Sequence, residues 1–474
     1  MARSLRTLVA LSLALSALLS PLHADTAPPS STQRPPTARS PLTELDKYVH
    51  ALDPAYRWKR EQAVRGEGYT VSAIDMVSQN WLTPAEVDHP EWRHWIFVVR
   101  PDDVQSGTGL LFISGGRNRD GKMPKPNAQL GEIAKRTRSV VAELRMAPNQ
   151  PLVFHGDGVG RFEDDLIAYG WDRFLKGEGA EWLARLPMTK AAVRAMDTIT
   201  AFTASEEGGG RAVDRFVVAG ASKRGWTTWT TAATDARVVG ICPIVIDVLN
   251  VHESMLHHYQ AYGFWAPAVG DYVTHGIMDR LDQPELRELL RISDPYSYRD
   301  RLRMPKLILN ACGDQFFLPD SSQFYFDGLK GTKYLRYVPN ADHSLKDSDA
   351  YDTLLAWHDS LIHGRKLPDF DWSHRGEGEI RVRAKDRPVE VRLWQATNTD
   401  ARDFRLETLG PKWTSSVLTA GGSGRYEGRV ETPARGWTAY MVELTYDVGA
   451  PTKLKLTTDV KVIPESLPHP RPGK

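Results

Sequence analysis

A serine in a glycine-rich turn is the first residue whose surroundings predict chemistry. Residues 216–226 read Phe-Val-Val-Ala-Gly-Ala-Ser-Lys-Arg-Gly-Trp, an apolar run followed by a turn at Ser222. The pattern predicts a strand, a sharp turn and a helix, which is the shape of a nucleophile elbow. The second glycine stands one place later than in G-x-S-x-G, because Arg224 occupies its usual position. A serine that only caps a helix is the alternative.

A nucleophilic serine requires a base that takes its proton and an acid that orients the base. In α/β-hydrolases these residues follow in the order Ser, acid, His, each after a strand. Ser222, Asp314 and His343 occur in this order, each just past a predicted strand. We therefore predict that they are nucleophile, acid and base. Asp247 and Asp320 are the other candidate acids, although Asp320 precedes Ser-Ser and resembles a helix N-cap.

The oxyanion of acyl transfer requires backbone donors beside the serine. We predict that these are the N–H of Lys223 and one from Gly115 or Gly116, which end an apolar strand at 109–114. The side chains of Lys223 and Arg224 could stabilise an oxyanion or bind a substrate carboxylate. They could equally pair with the acidic residues 163–165.

An insertion at 248–300, rich in Trp, Tyr and His, is predicted to form a lid and the substrate pocket. We expect Tyr262 and Trp265, together with Arg224, to bind substrate. The histidines at 252, 257 and 258 fit no standard metal motif, and no phosphate-binding loop is present. The sequence therefore predicts neither a metal nor a cofactor.

The elements that must position these residues alternate between strand and helix over 42–370. This alternation predicts the α/β class, a doubly wound and mostly parallel sheet. Residues 378–465 change to short alternating runs, which predict an antiparallel β-sandwich of immunoglobulin-like size. Its tryptophans at 394, 413 and 437 could stack on sugars or pack in its core.

Composition and the N-terminal residues indicate where the protein acts. The chain has 474 residues, and 60 Lys and Arg balance 59 Asp and Glu, so nothing favours a nucleic acid partner. Arg3 and Arg6 precede an apolar run at 8–19, which predicts a signal peptide at 1–24. A disordered lead rich in Pro, Ser and Thr is expected at 25–41. We predict a periplasmic or secreted protein without a membrane span, in which Cys242 and Cys312 are buried thiols or, alternatively, a bridge.

Several longer runs resemble one known family, the PhoPQ-activated pathogenicity-related proteins. They are Asp-Asp-Leu-Ile-Ala-Tyr at 164–169, Leu-Pro-Met-Thr-Lys-Ala at 186–191, Gly-Ala-Ser-Lys-Arg-Gly-Trp-Thr at 220–227, Asp-Pro-Tyr-Ser-Tyr at 294–298 and Gly-Asp-Gln-Phe-Phe-Leu-Pro-Asp at 313–320. The resemblance covers residues 48–467. It implies an α/β-hydrolase domain followed by a β-rich domain, in a secreted or envelope protein. The Ser-Lys-Arg-Gly segment also resembles the serine turn of glucuronoyl esterases.

These observations predict a secreted or periplasmic serine hydrolase that cleaves an ester or amide bond. Its substrate would be a small molecule, a peptide or a glycan-linked compound. The alternative is a catalytically inactive hydrolase fold that acts as an extracellular signalling or binding factor, with a role in virulence.

Overall fold

Most of the strands belong to one large twisted sheet, seen in a computed structural model that describes residues 41–118 and 122–473. The strands are β1 Arg57–Gly66, β2 Tyr69–Asn80, β3 Glu91–Pro101, β4 Thr108–Ile113, β5 Val141–Leu144, β6 Arg215–Ala221, β7 Val238–Ile244, β8 Lys306–Ala311, β9 Lys333–Val338, β10 Phe370–His374, β11 Glu379–Ala384, β12 Glu390–Asn398, β13 Thr414–Val417, β14 Arg425–Arg429, β15 Trp437–Tyr446, β16 Leu454–Thr457 and β17 Lys461–Ile463. The predicted signal peptide and all of the predicted lead except Pro41 lie outside the described residues.

Helices connect the strands and cover both faces of the sheet. They are α1 Glu44–His50, α2 Ala128–Thr137, α3 Glu163–Leu175, α4 Arg185–Ala204, α5 Lys223–Thr234, α6 Val251–Tyr262, α7 Gly270–Thr274, α8 Pro284–Ser293, α9 Ala350–Ile362 and α10 Leu406–Leu409. None of the helices in the described ranges is long and apolar enough to cross a membrane.

The centre of the sheet is parallel and follows the order β5-β4-β6-β7-β8-β9. Antiparallel β3 borders β5, and β2 and β1 continue outwards. This order, in which β5 lies between β3 and β4, is that of an α/β-hydrolase sheet, so the predicted fold class is confirmed. Because ligands bind at the carboxyl ends of parallel strands, we expect the functional site among the residues just past β6, β7, β8 and β9.

Residues of the central strands are apolar on both faces, as a sheet covered by helices requires. Leu111 and Val218 point into one buried cluster, whereas their neighbours Leu110 and Val217 point into the cluster on the other face. All four side chains are at most 1% exposed. The uninterrupted apolar runs therefore encode two cores, one on each side of the sheet.

The C-terminal strands continue this sheet instead of standing apart from it. β16 pairs antiparallel with β9 through Thr457 and Leu335, and β15, β12 and β13 extend the edge. β10, β11 and β14 form a second, three-stranded sheet. Its Ile380 shares an apolar cluster with Leu393 and Val442 of the large sheet, an arrangement compatible with the predicted sandwich. The domain boundaries at 370 and 378 stay predictions.

Both cysteines and the three C-terminal tryptophans lie within the packed structure. Cys242 and Cys312 are buried and free. Trp413 is 4% exposed, and Trp394 and Trp437 pack partly buried against the same core.

Candidate active site

Ser222 occupies the turn between β6 and α5 in a conformation that few side chains adopt. Its backbone has φ 57° and ψ −124°. Strain of this kind is typical of a nucleophile elbow, which lifts the hydroxyl above the sheet edge. The serine N–H donates to the Ile244 carbonyl at 2.8 Å, which fixes the turn against β7. Its hydroxyl does not cap the helix, so the capping alternative finds no support.

The displaced glycine of the motif has a packing reason. A Cβ on Gly225 would lie 3.0 Å from the Gly220 and Ile244 carbonyl oxygens, so the helix crosses the strands closely at this residue. Arg224 instead extends towards Gly115, where any Cβ would collide with the guanidinium group. The two glycines therefore make room for one close helix crossing and one large cation.

His343 and Asp314 lie together after the last two parallel strands. Asp314 Oδ2 is 2.7 Å from His343 Nδ1, and its other oxygen accepts the Phe316 N–H at 2.8 Å. The His343 N–H donates to Gln315 Oε1 at 3.0 Å, which ties the two loops to each other. This arrangement fixes the imidazole with Nε2 as its free nitrogen.

Ser222 and His343 follow β6 and β9 at the same edge of the sheet but do not bond to each other. Within the part of the chain that the structure describes, neither the serine hydroxyl nor His343 Nε2 makes a hydrogen bond. Catalytic hydrogen bonds in unliganded enzymes are often long and tighten only when substrate binds.

The backbone donors of an oxyanion hole are available beside the serine. β4 pairs with β6 so that Ile113 faces Gly220, which brings the loop after β4 level with the serine turn. Lys223 is the first residue of α5, so its N–H has no acceptor within the helix. Among the described residues, the N–H groups of Gly115 and Gly116 donate to no backbone carbonyl. Within the described ranges, none of the three predicted donors has a backbone acceptor.

The side chains of Lys223 and Arg224 are paired with acidic residues of α3. Lys223 Nζ lies 2.6 Å from Asp164 and 3.4 Å from Glu163. Arg224 binds Glu163 through both terminal nitrogens and donates from Nε to the Ala147 carbonyl at 2.7 Å. Burial alone would raise the pKa of Glu163, but the hydrogen bond and charge of Arg224, with Lys223, lower it to about 2. The sequence alternative of pairing with residues 163–165 is therefore the observed arrangement.

A cavity opens beside Ser222 and Lys223. Its other walls come from α3, α4, α5, the segment after β7 and the loop after β8, which contributes Phe316 and Phe317. The insertion supplies the largest share: Val251, Met255, Val269, Tyr272, Ile277, Met278, Leu281 and Leu286.

Comparison with known proteins decides the family. The chain matches the family described as PhoPQ-activated pathogenicity-related protein over residues 45–405. Autocrine proliferation repressor protein A of Dictyostelium discoideum is 38% identical over 456 residues, or 90% of this chain and 91% of that one. The chain belongs to the PhoPQ-activated pathogenicity-related protein family.

Among solved structures, acetyl xylan esterase 1 from Thermoanaerobacterium sp. JW/SL YS485 is similar with a TM-score of 0.44 and 14% identity, over 64% of this chain and 89% of that chain. A glucuronoyl esterase from Solibacter usitatus gives a TM-score of 0.39 and 13% identity, over 67% and 89% of the two chains.

The three residues that the sequence assigned to substrate binding do not line the cavity of this family member, and Arg224 is paired with Glu163 instead. Tyr262 packs with Ala266 and Leu318 in a separate apolar cluster. The ring of Trp265 packs against His258, 5.7 Å away. Phe316 and Phe317 take the place beside the serine. Their position in the Gly-Asp-Gln-Phe-Phe run, directly after Asp314, was a signal that could have identified them.

Asp247, the first alternative acid, has other partners. It is 3% exposed and accepts hydrogen bonds from Tyr325 at 2.5 Å and Tyr337 at 2.6 Å. Burial raises its pKa to about 8, although both phenols favour the charged form. Its carboxyl group is therefore held away from His343.

Asp320, the second alternative, is not the helix cap that the sequence predicted. Its side chain makes no capping hydrogen bond. It binds Arg402 at 2.6 Å and His257 at 3.1 Å, and all three side chains are at most 8% exposed. Burial opposes its ionisation, but the charges of Arg402 and His257 keep the pKa of Asp320 below its usual value. The Ser-Ser that follows Asp320 predicted a helix cap, whereas the residues that bind its carboxylate, Arg402 and His257, come from distant segments.

C-terminal residues also hold the loops that carry Asp314 and His343. The Leu406 N–H donates to the Gly313 carbonyl at 3.0 Å. The Asn340 side chain exchanges two hydrogen bonds of 2.9 Å with the backbone of Trp413. These contacts left no pattern in the sequence, because the paired residues lie more than seventy positions apart.

The three histidines that the sequence considered for metal binding have partners within the protein. His252 faces Glu253 and Asp282, and His257 faces Asp320. His258 Nε2 accepts the Ala266 N–H, and burial lowers the pKa of this imidazole to about 3. In the two described ranges, no group of three or more potential ligands is arranged to hold a metal ion.

Proposed function

We propose that this protein is a serine hydrolase that cleaves an ester or amide bond with Ser222, His343 and Asp314. The observation that carries the proposal is the 2.7 Å contact between Asp314 and His343 Nδ1, at the sheet edge where Ser222 holds its strained turn. A carboxylate that fixes an imidazole beside an elbow serine is the arrangement that acyl transfer requires.

The chemistry follows from these positions. Ser222 Oγ attacks the carbonyl carbon while His343 Nε2 takes the hydroxyl proton, and Asp314 holds the N–H at Nδ1. The N–H groups of Lys223 and of Gly115 or Gly116 donate to the oxygen that becomes negative. The bond to the leaving group then breaks, and His343 delivers the proton to it. Water repeats both steps and releases the acid from Ser222.

The substrate of the proposed enzyme is a small molecule, a peptide or a glycan-linked compound. The predicted signal peptide at 1–24 supports action in the periplasm or outside the cell. The balanced charge of the chain offers no basis for nucleic acid binding.

A fluorophosphonate probe tests the proposal. The wild-type protein should be labelled, whereas Ser222→Ala should lose both the label and at least about a thousandfold in ester hydrolysis. Ser344→Ala, an exposed serine beside the base, is the matched control and should label like the wild type. An unlabelled wild-type protein, or a labelled Ser222→Ala variant, would refute the nucleophile.

A second candidate function is an extracellular signalling or binding factor without catalysis. The relative from Dictyostelium favours it, because that protein is called an autocrine proliferation repressor. Under this alternative the probe does not label the wild type, and Ser222→Ala changes neither labelling nor binding to target cells.

A further inference from the structure

The cavity beside Ser222 has walls of one chemical kind. The side chains that the insertion contributes to the cavity, Val248 among them, are aliphatic or aromatic. Ile246, just after β7, continues this apolar surface. Trp171 and Trp226 close the opposite wall with rings 6.3 Å apart. An apolar group that leaves water and binds to such a surface lowers the free energy of the system.

Of the charged residues that reach the cavity, Asp164 and Lys223 pair with each other, whereas Arg185 has no carboxylate partner among the described residues. Asp164 accepts from Lys223 at 2.6 Å and from Tyr272 at 3.2 Å. Arg185 donates to the Lys223 carbonyl at 3.0 Å and stacks over Trp226. Asp164 thus neutralises Lys223, and the rest of the wall apart from Ser222 and Arg185 is apolar, so the cavity favours a neutral, apolar group.

The position of the base decides which side of the substrate the cavity takes. A leaving group must lie within reach of His343, which protonates it. Among the described residues, His343 is not part of the cavity wall, whereas Phe316 lines the wall and packs 4.5 Å from the imidazole ring. Phe316 thus lies at the border of the cavity, next to the base. The leaving group therefore belongs outside the cavity, and the acyl group within it.

We propose that the substrate is an ester with an apolar acyl group of several carbons, alkyl or aryl, which the lid insertion encloses. This inference rests on the proposed function, because it takes Ser222 as the nucleophile. It adds the substrate class, which the serine, acid and base alone leave open.

The test uses the full chain and p-nitrophenyl esters, which vary the acyl chain from acetate to octanoate with one leaving group. Each methylene that the cavity buries is worth up to about fourfold in kcat/KM. We expect kcat/KM to rise at least about tenfold from acetate to octanoate. The same range of chain lengths placed in the alcohol of acetate esters should change kcat/KM by less than about threefold.

A variant that fills the cavity sharpens the test. Met255 is 6% exposed in the cavity wall, so Met255→Trp should abolish the preference for octanoate over acetate. Val273→Trp is the matched control, since this residue of the insertion is 40% exposed and outside the wall. It should keep the wild-type profile. If Met255→Trp fails to fold, the wild-type series decides alone.

The outcomes separate the two proposals. Hydrolysis that is fastest with acetate and declines with chain length overturns the acyl pocket but leaves the serine hydrolase intact. A chain-length preference confined to the alcohol also overturns the assignment. A wild-type protein that neither reacts with the fluorophosphonate nor hydrolyses any ester overturns both.

Discussion

The segments after β7 and β8 each bring a buried aspartate to the same edge of the sheet, and the two residues are used differently. Asp314 contacts the imidazole of His343 and accepts a backbone N–H. Asp247 contacts two tyrosine hydroxyls and is enclosed by apolar structure, which raises its pKa to about 8. Both follow parallel strands and both are at most 4% exposed. Position at a strand end therefore does not define a catalytic acid; the group that faces the carboxyl does.

The largest expected difference between the two segments is in turnover. Asp314→Asn should reduce kcat by about 10⁴-fold, because an amide cannot hold the imidazole in the orientation and tautomer that catalysis needs. Asp247→Asn should change kcat by less than about threefold, since its partners are phenols. Steady-state kinetics with one ester on both purified variants measures this ratio. A fully active Asp314→Asn enzyme beside an inactive Asp247→Asn enzyme would reverse the assignment.

The segment after β8 differs again in how it is held, because Asp320 binds Arg402 and His257. Removing one partner from a buried ion pair leaves an uncompensated charge, at a cost of about 3–5 kcal/mol. Asp320→Asn should therefore lower the free energy of unfolding by this amount, measured by urea denaturation. It leaves the guanidinium group of Arg402 without its carboxylate.

An exposed aspartate–histidine pair on the insertion at 248–300 is the matched comparison. Asp282 faces His252 at 3.0 Å, but its side chain is 77% exposed. Asp282→Asn should leave the free energy of unfolding almost unchanged, because solvent screens exposed ion pairs. Equal losses in the two variants would show that burial does not give the Asp320 cluster its importance.

The parts of the fold and of the candidate site that the sequence predicted are those whose residues lie close together along the chain. The strand, turn and helix around Ser222 were predicted because the pattern is contiguous. The order Ser222, Asp314, His343 was predicted because each residue follows an apolar strand. β1 was missed because its residues are exposed or half-exposed and show no apolar alternation.

Contacts between distant segments left no such signal. Asp320 was expected to cap the helix that follows, yet its two buried partners, His257 and Arg402, are 63 and 82 residues away. Likewise, the period-2 pattern of residues 378–465 predicted the strands but not the pairing of β16 with β9. The alternation of residues along a strand is the same whether or not another strand pairs with it. Local chemistry could be read from the residues, and long-range packing could not.

A further expected difference concerns Asp247 and the pH dependence of stability. Burial holds its pKa at about 8 in the native protein, with the charges of Asp314 and Asp320 adding to the rise, whereas an unfolded aspartate titrates near about 4. The native state therefore keeps a proton that the unfolded state releases. The stability that this proton contributes is complete below about pH 4 and is lost as the pH rises towards about 8. Asn cannot titrate, so Asp247→Asn should gain stability relative to the wild type by roughly 2–3 kcal/mol between about pH 5 and pH 8. Urea denaturation of both proteins across this range measures the difference, with Asp282→Asn as the exposed control. A difference that stays constant with pH would show that Asp247 is ionised in the folded protein, and the contrast between the two segments would then lie only in their partners.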